Sequence, residues 1–207
     1  MKIVRSEIKK INITSLFDQV DQSQITSDAI RNLFDLKPEE KANTPFIELP
    51  GTKVLILPVT KKEVVIEPNR MRVSDSSATD PKASAIVKDF EKVNEKFRAQ
   101  SKLIAYGFNF EFLVQLSENM DYSLLLSDPL KRVLEKNDLI EAGSRIVYKK
   151  GQHRIELQFV PAPQKDQIVV LSNVHNESDT INYSSLQAEL IAFYKDVLEA
   201  IKRFIGE

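Results

Sequence analysis

Residues 104–116 read IAYGFNFEFLVQL, and apolar side chains occupy every second position of this stretch. Side chains two residues apart share one face of a β-strand, whereas a helix would scatter them around its axis. The stretch therefore predicts a strand that buries one face. At about 3.3 Å per residue it would be about 43 Å long, so we expect a bend or bulge near Gly107 or Asn109. The apolar face comprises Ile104, Tyr106, Phe108, Phe110, Phe112, Val114 and Leu116.

Shorter alternating segments lie on both sides of this strand. Residues 53–73, KVLILPVTKKEVVIEPNRMRV, predict three antiparallel strands joined by tight turns, with a strand end or bulge at Pro58 because proline donates no ladder hydrogen bond. A second meander is predicted by residues 145–150, 153–160 and 167–174. Residues 2–13 alternate more loosely and predict a weak strand at a sheet edge.

Helical spacing replaces the two-residue period after each meander. Asp80 and Pro81 are typical of a helix start, and apolar residues then recur every three or four positions up to Phe97. Ser184 and Gln187 predict a capping box at the start of a final helix that extends to residue 204. A further helix is expected at 128–136.

These segments predict an α+β fold in which antiparallel meander sheets are each packed by a long amphipathic helix. The layout strand-strand-strand-helix occurs twice, at about 46–97 and at about 145–204. We expect residues 1–207 to form a single domain, with the two halves as pseudo-repeats joined by the strand at 103–116 and the helix at 128–136.

Composition disfavours several kinds of chemistry. The chain has no cysteine and two histidines, so thiolate nucleophiles and cysteine-based metal sites are excluded. Its five glycines are isolated and form no phosphate-binding loop. With 29 basic and 30 acidic residues, no global charge attracts nucleic acid or an anionic membrane. We expect no cofactor and no metal, and we do not expect nucleic acid as a partner.

The first residues, MKIVRSEIKKINITSLF, carry charges every few positions and lack the continuous apolar segment of a secretory signal. No run of about 18 uncharged apolar residues is present, which predicts that the chain does not span a membrane. We therefore expect a cytoplasmic protein.

Two features are candidate binding surfaces. The hairpin RIVYKKGQHR, residues 145–154, gathers cations around a tyrosine and could contact phosphates, although edge strands also carry lysine to prevent aggregation. The aromatic face of 104–116 could line an apolar groove, although such a face more often belongs to the core. The candidate residues are Tyr106, Phe108, Phe110, Phe112, Arg145, Tyr148, Lys149, Lys150, His153 and Arg154.

Three stretches carry a resemblance to a known family. They are VVIEPNRMRVSDSSATDPKASAIVKDFEKVNEKF, IAYGFNFEFLVQL and NVHNESDTINYSSLQAELIAFYKDVLEAIKRF. In these the chain resembles a sporadically distributed family of uncharacterised prokaryotic proteins, and this resemblance implies a fold but no activity. The architecture is also similar to that of SecB-like chaperones, which place helices behind a four-stranded antiparallel sheet and assemble as oligomers; no SecB motif is present.

The absence of a catalytic motif favours a non-catalytic protein that acts through protein–protein contact, as a homo-oligomer formed by a sheet edge or the long helices. One alternative is a SecB-like holdase that binds unfolded chains with exposed rings of 104–116. Another is a carboxylate-dependent hydrolase around His175, Glu177 and Asp179.

Overall fold

The computed structural model describes residues 2–78, 80–98, 101–121 and 142–205. Within these ranges nine strands form one antiparallel sheet, accompanied by four α-helices, and the fold is α+β as predicted. The strands are β1 Ile3–Phe17, β2 Phe46–Leu49, β3 Thr52–Leu57, β4 Lys62–Glu67, β5 Arg70–Asp75, β6 Leu103–Leu116, β7 Ser144–Lys150, β8 His153–Pro161 and β9 Gln167–Asn176. The helices are α1 Ser27–Arg31, α2 Pro38–Ala42, α3 Ile86–Phe97 and α4 Tyr183–Ile205. The predicted helix at 128–136 lies outside the described residues.

The sheet is arranged around its two longest strands. Its order is β2-β3-β4-β5-β1-β6-β9-β8-β7, so β1 and β6 are central. The prediction of β1 as an edge strand was therefore wrong: β1 pairs with β5 on one side and with β6 on the other. The charged residues of β1 suggested an edge strand. They alternate, however, with Ile11 and Ile13, which are buried on the opposite face of the sheet.

The long helices α3 and α4 pack on one face of this sheet, where the aromatic residues of β6 are buried. Phe112 stacks on Tyr194 of α4 with the ring centroids 5.8 Å apart, and Phe108 lies 6.0 Å from Phe193. On the α3 side, the Ser15 hydroxyl donates to the Asn94 carboxamide oxygen at 2.9 Å, which satisfies two buried polar groups between β1 and the helix.

Three irregularities interrupt the pairing of β1 with β6. They leave one extra residue each, namely Val4 and Lys9 in β1 and Ile104 in β6. The predicted bulge near Gly107 or Asn109 is thus displaced toward the start of the strand. Ile104 is 54% exposed although its position in the pattern predicted burial, because the bulge changes which face the first residues of β6 present.

The predicted helix starts also differ from those observed. Asp80 and Pro81 form a turn that precedes α3, and the helix begins at Ile86. At α4 the Asn182 side chain accepts hydrogen bonds from the backbone N–H and hydroxyl of Ser184, so Asn182 caps the helix. The predicted strand end at Pro58 is confirmed, since β3 stops at Leu57.

Gly107 is required by the close approach of two central strands. A Cβ at this position would lie 2.4 Å from the backbone carbonyl oxygen of Val174 in β9. Backbone atoms of a central ladder cannot move away without loss of adjacent hydrogen bonds, so no larger residue fits without distortion.

Gly107→Ala is expected to lower the free energy of unfolding by about 1–3 kcal/mol, because the added methyl group overpacks the β6–β9 ladder. Urea denaturation followed by circular dichroism measures this change. The control Ile104→Ala lies on the same strand at an exposed position and should change stability by less than about 0.5 kcal/mol. An equal effect of the two substitutions would contradict the close approach.

Candidate functional site

The four aromatic residues proposed as a binding surface do not present one. Tyr106, Phe108, Phe110 and Phe112 are at most 6% exposed, because α4 covers their face of the sheet. The reading of this stripe as core agrees with the structure, and the rings offer no groove to a partner.

The candidate hairpin, formed by β7 and β8, is divided between the two faces of the sheet. Successive pairs of opposed residues in this hairpin face alternately toward the helices and away from them. Three of the six candidates therefore point toward the helices, and three point away. The sequence therefore grouped side chains that do not form one patch, because neighbouring residues in a strand face opposite ways. Tyr148, Lys150 and His153 are on the helix side, and Arg145, Lys149 and Arg154 are on the opposite face of the sheet.

Carboxylates balance most of these cations. Arg145 donates two hydrogen bonds to Glu156, at 2.6 and 2.7 Å, and Arg154 lies 3.6 Å from the same carboxylate. The hydrogen bond from Arg145, assisted by Gln158, lowers the pKa of Glu156 to about 2. Lys150 pairs with Asp196 of α4 at 2.6 Å. A phosphate backbone would have to displace these carboxylates, which argues against a nucleic-acid surface.

The face of the sheet opposite α3 and α4 contains a broad polar depression. Its volume is about 430 Å³, and it extends across β5, β1, β6, β9 and β8. Five strands spaced about 4.8 Å apart make it about 19 Å wide, which is more than the diameter of an α-helix. We call this surface the open face. Its lining includes Lys10, Asn12, Arg72, Asn109, Glu111, Asn173 and His175.

A row of three asparagines crosses the centre of the open face. Asn109 donates its Nδ2–H to Oδ1 of Asn12 at 2.6 Å, and Asn173 donates to Oδ1 of Asn109 at 2.5 Å. These residues are directly opposite one another in the registers of β1, β6 and β9. We call this row the asparagine ladder. The ladder was not predicted from the sequence because its three residues are far apart in the chain.

Aliphatic side chains are exposed on the same face of the sheet as the ladder, and one of them, Leu171, lines the depression. Leu171 is 38% exposed, Val160 37% and Val147 44%. Leu171 precedes Asn173 by two residues on the same face of β9, and Val147 of β7 is opposite Glu156 of β8. Polar groups with satisfied hydrogen bonds beside partly exposed aliphatic groups are typical of protein–protein interfaces.

A second cluster joins the hairpin to α4 on the helix side. The Tyr106 hydroxyl donates to the Glu189 carboxylate, with oxygen distances of 3.0 and 3.1 Å, and His153 Nε2 lies 3.1 Å from Glu189 Oε1. The His153 ring also contacts Phe193, with centroids 4.5 Å apart. Glu189 was not predicted, since its role depends on contacts 83 residues apart in the chain. The cluster fastens α4 to β6 and β8.

Burial, reinforced by the negative charge and hydrogen bond of Glu189, raises the pKa of Tyr106 to about 12. In the unfolded chain a tyrosine ionises near pH 10. The stabilisation due to this difference is therefore complete below pH about 10 and is lost as the pH rises toward about 12.

Tyr106→Phe should therefore show a smaller loss of stability than the wild type over this alkaline range, as measured by urea denaturation at successive pH values. Ultraviolet titration of Glu189→Gln should show a tyrosine that ionises at lower pH than in the wild type. Identical alkaline profiles of the wild type and Tyr106→Phe would contradict this account.

The residues suggested for a hydrolase do not form a ligand cluster. His175 lies on the open face at β9, whereas Glu177 and Asp179 follow the strand and are exposed. In the described part of the chain, no group of three or more His, Asp or Glu side chains could hold a metal ion. Within the same ranges no helix is long and apolar enough to cross a membrane.

No protein-family model matches the chain, and no curated protein or solved structure shows significant similarity to it. The candidate site is accordingly interpreted from its own geometry.

Proposed function

We propose that the protein is a non-catalytic binding protein whose open face receives a segment of a protein partner. The observation that carries this proposal is the asparagine ladder within a depression about 430 Å³ in volume, which the exposed Leu171 also lines. A surface of this width and mixed polarity suits a secondary-structure element of another protein.

The ladder retains hydrogen-bonding capacity toward solvent. Each carboxamide has two N–H donors and an oxygen with two lone pairs, and the ladder uses one donor of Asn109 and one of Asn173. A peptide group, which also offers one donor and one acceptor, complements such a row. The ion pairs around the ladder would restrict which partners bind, because a charged group of the partner would be repelled wherever it faced a charge of the same sign.

The alternatives have less support. A holdase that uses the rings of 104–116 would need those rings at the surface, and α4 buries them. A hydrolase around His175, Glu177 and Asp179 would need these side chains to converge, whereas only His175 lines the open face. We therefore do not propose either activity.

Asn173→Arg is expected to abolish partner binding, because a long charged side chain would fill the depression at its exposed ladder position. The full-length protein would first be used to capture its partner from cells of its source, and the purified partner would then be titrated calorimetrically. We expect an affinity at least about tenfold weaker for the variant.

The matched control is Glu177→Arg, which adds the same side chain at an exposed position outside the depression. Circular dichroism would verify that both variants fold. Equal binding by the wild type and Asn173→Arg, or capture of no protein at all, would contradict the proposed function.

We also propose that the protein is a homo-oligomer that associates through β2. The two edges of the sheet differ: β7 carries Arg145, Lys149 and Lys150, which oppose edge-to-edge pairing, whereas β2 exposes Ile47 and Leu49 by 41% and 55%. Glu48, which pairs with Lys53, is the one charged residue of β2, so β2 is the less protected of the two edges and the better candidate for pairing with another strand.

Ile47→Lys should therefore shift the protein from oligomer to monomer in sedimentation equilibrium, because it places a charge in the proposed contact. Val4→Lys is the control, since Val4 is 67% exposed at a bulge of β1 away from this edge. A wild-type protein that is monomeric at all concentrations tested would refute this assembly.

The succession of strands and a helix at about 46–97 and 145–204 supports a further proposal, that the two halves are pseudo-repeats on either side of the β1–β6 pair. The predicted three strands are found only in the second half, where β7 to β9 precede α4; in the first half four strands, β2 to β5, precede α3. Each half would be completed by one central strand, since β1 adjoins β5 of the first half and β6 adjoins β9 of the second.

A further inference from the structure

A cleft on the helix side of the sheet is separate from the open face. It lies between the α1–α2 region, the turn that joins β3 to β4, and α3, and its volume is about 450 Å³. This volume is within the range of about 300–1,000 Å³ that is common for small-molecule sites. The apolar part of its lining consists of Phe34, Leu36, Leu57, Pro58 and Val59, and the charged residues Asp35, Lys37, Glu39, Glu40 and Lys92 also line it.

A largely buried ion pair belongs to this lining. Lys62 of β4 and Asp89 of α3 are joined at 2.5 Å, and their side chains are only 13% and 11% exposed. By contrast Val59 in the same lining is 74% exposed and marks the mouth. The cleft therefore combines apolar and charged side chains with a largely buried ion pair.

The ion pair leaves hydrogen-bonding groups available to a ligand. The Lys62 ammonium has three donors, and among the described residues it makes one hydrogen bond, to Oδ2 of Asp89. The other oxygen of that carboxylate, Oδ1, makes none in the same part of the chain. Desolvating an ion pair is costly, and apolar side chains at such positions often give equal or greater stability, so recognition is a reason to retain the pair.

The charges of the pair determine the chemistry of the ligand. A carboxylate would bind Lys62 but would lie beside Asp89, and an amine would bind Asp89 but would lie beside Lys62. Like charges about 4 Å apart repel more strongly in such a partly buried place than in water. A carboxamide avoids both repulsions, because its oxygen accepts from Lys62 while its N–H donates to Asp89.

We propose that this cleft is a binding site for a small molecule with an apolar body and a primary amide, the amide bridging Lys62 and Asp89 and the body lying against Leu57 and Val59. The site is independent of the partner surface on the open face.

The test compares hexanamide, hexanoate and hexylamine, which share one alkyl chain and differ in the polar group. Each would be titrated into the full-length protein while the methyl resonances of Leu57 and Val59 are followed by NMR. We expect hexanamide to shift these resonances and to bind at least about fivefold more tightly than the two charged probes. Tighter binding of hexanoate or hexylamine, or no shift with any probe, would overturn the proposal.

Two variants locate the interaction. Lys62→Met combined with Asp89→Leu removes both charges together and should abolish the preference for the amide. Val59→Asp changes an exposed residue at the mouth and should weaken hexanamide binding without a change in circular dichroism. Retained amide preference in the double variant, or undiminished binding by folded Val59→Asp, would overturn the proposal; if the double variant does not fold, Val59→Asp decides alone.

Discussion

Antiparallel pairing of β1 with β6 is the constraint on which the rest of the structure depends. The two strands, of 15 and 14 residues, run alongside each other from Ile3 to Phe17 and carry all other strands on their outer sides. Since side chains alternate between faces, a slip of one residue would bring the rings of β6 to the open face and the asparagines to the core. Val4, Lys9 and Ile104 are extra residues that interrupt this pairing. In the paired segments between them, each side chain keeps the face of the sheet that the alternation gives it.

The same alternation separates the two proposed functions in space. Rings of β6 pack under α4 on the helix side, and the Glu189 cluster adds polar contacts between that helix and the sheet. On the opposite side, the same strands present carboxamides and charges in a row. A partner that bound the open face as proposed would therefore require no change in the core, and the cleft lined by Lys62 and Asp89 is on the other side of the sheet.

Much of the fold could be predicted from local sequence, because the two-residue alternation of apolar side chains within one strand indicates which of its faces is buried. The alternation from Tyr106 to Leu116 was sufficient to predict the core strand, whereas Ile104 deviated because a bulge depends on the partner strand. The centrality of β1 could not be read from its own residues, since its neighbours in the sheet are distant in sequence. The asparagine ladder has a weak signal, an asparagine on the polar parity of three predicted strands, but only the observed register shows that the three are opposite one another.

The most direct test of the central role of β1 and β6 is native-state hydrogen exchange measured for individual backbone amides. The account predicts that amides at the middle of these strands, around Ile13 and Phe110, exchange most slowly and only through global unfolding, while those of the edge strands β2 and β7 exchange through local opening. Exchange in the middle of β1 and β6 as fast as at the edges would contradict the account.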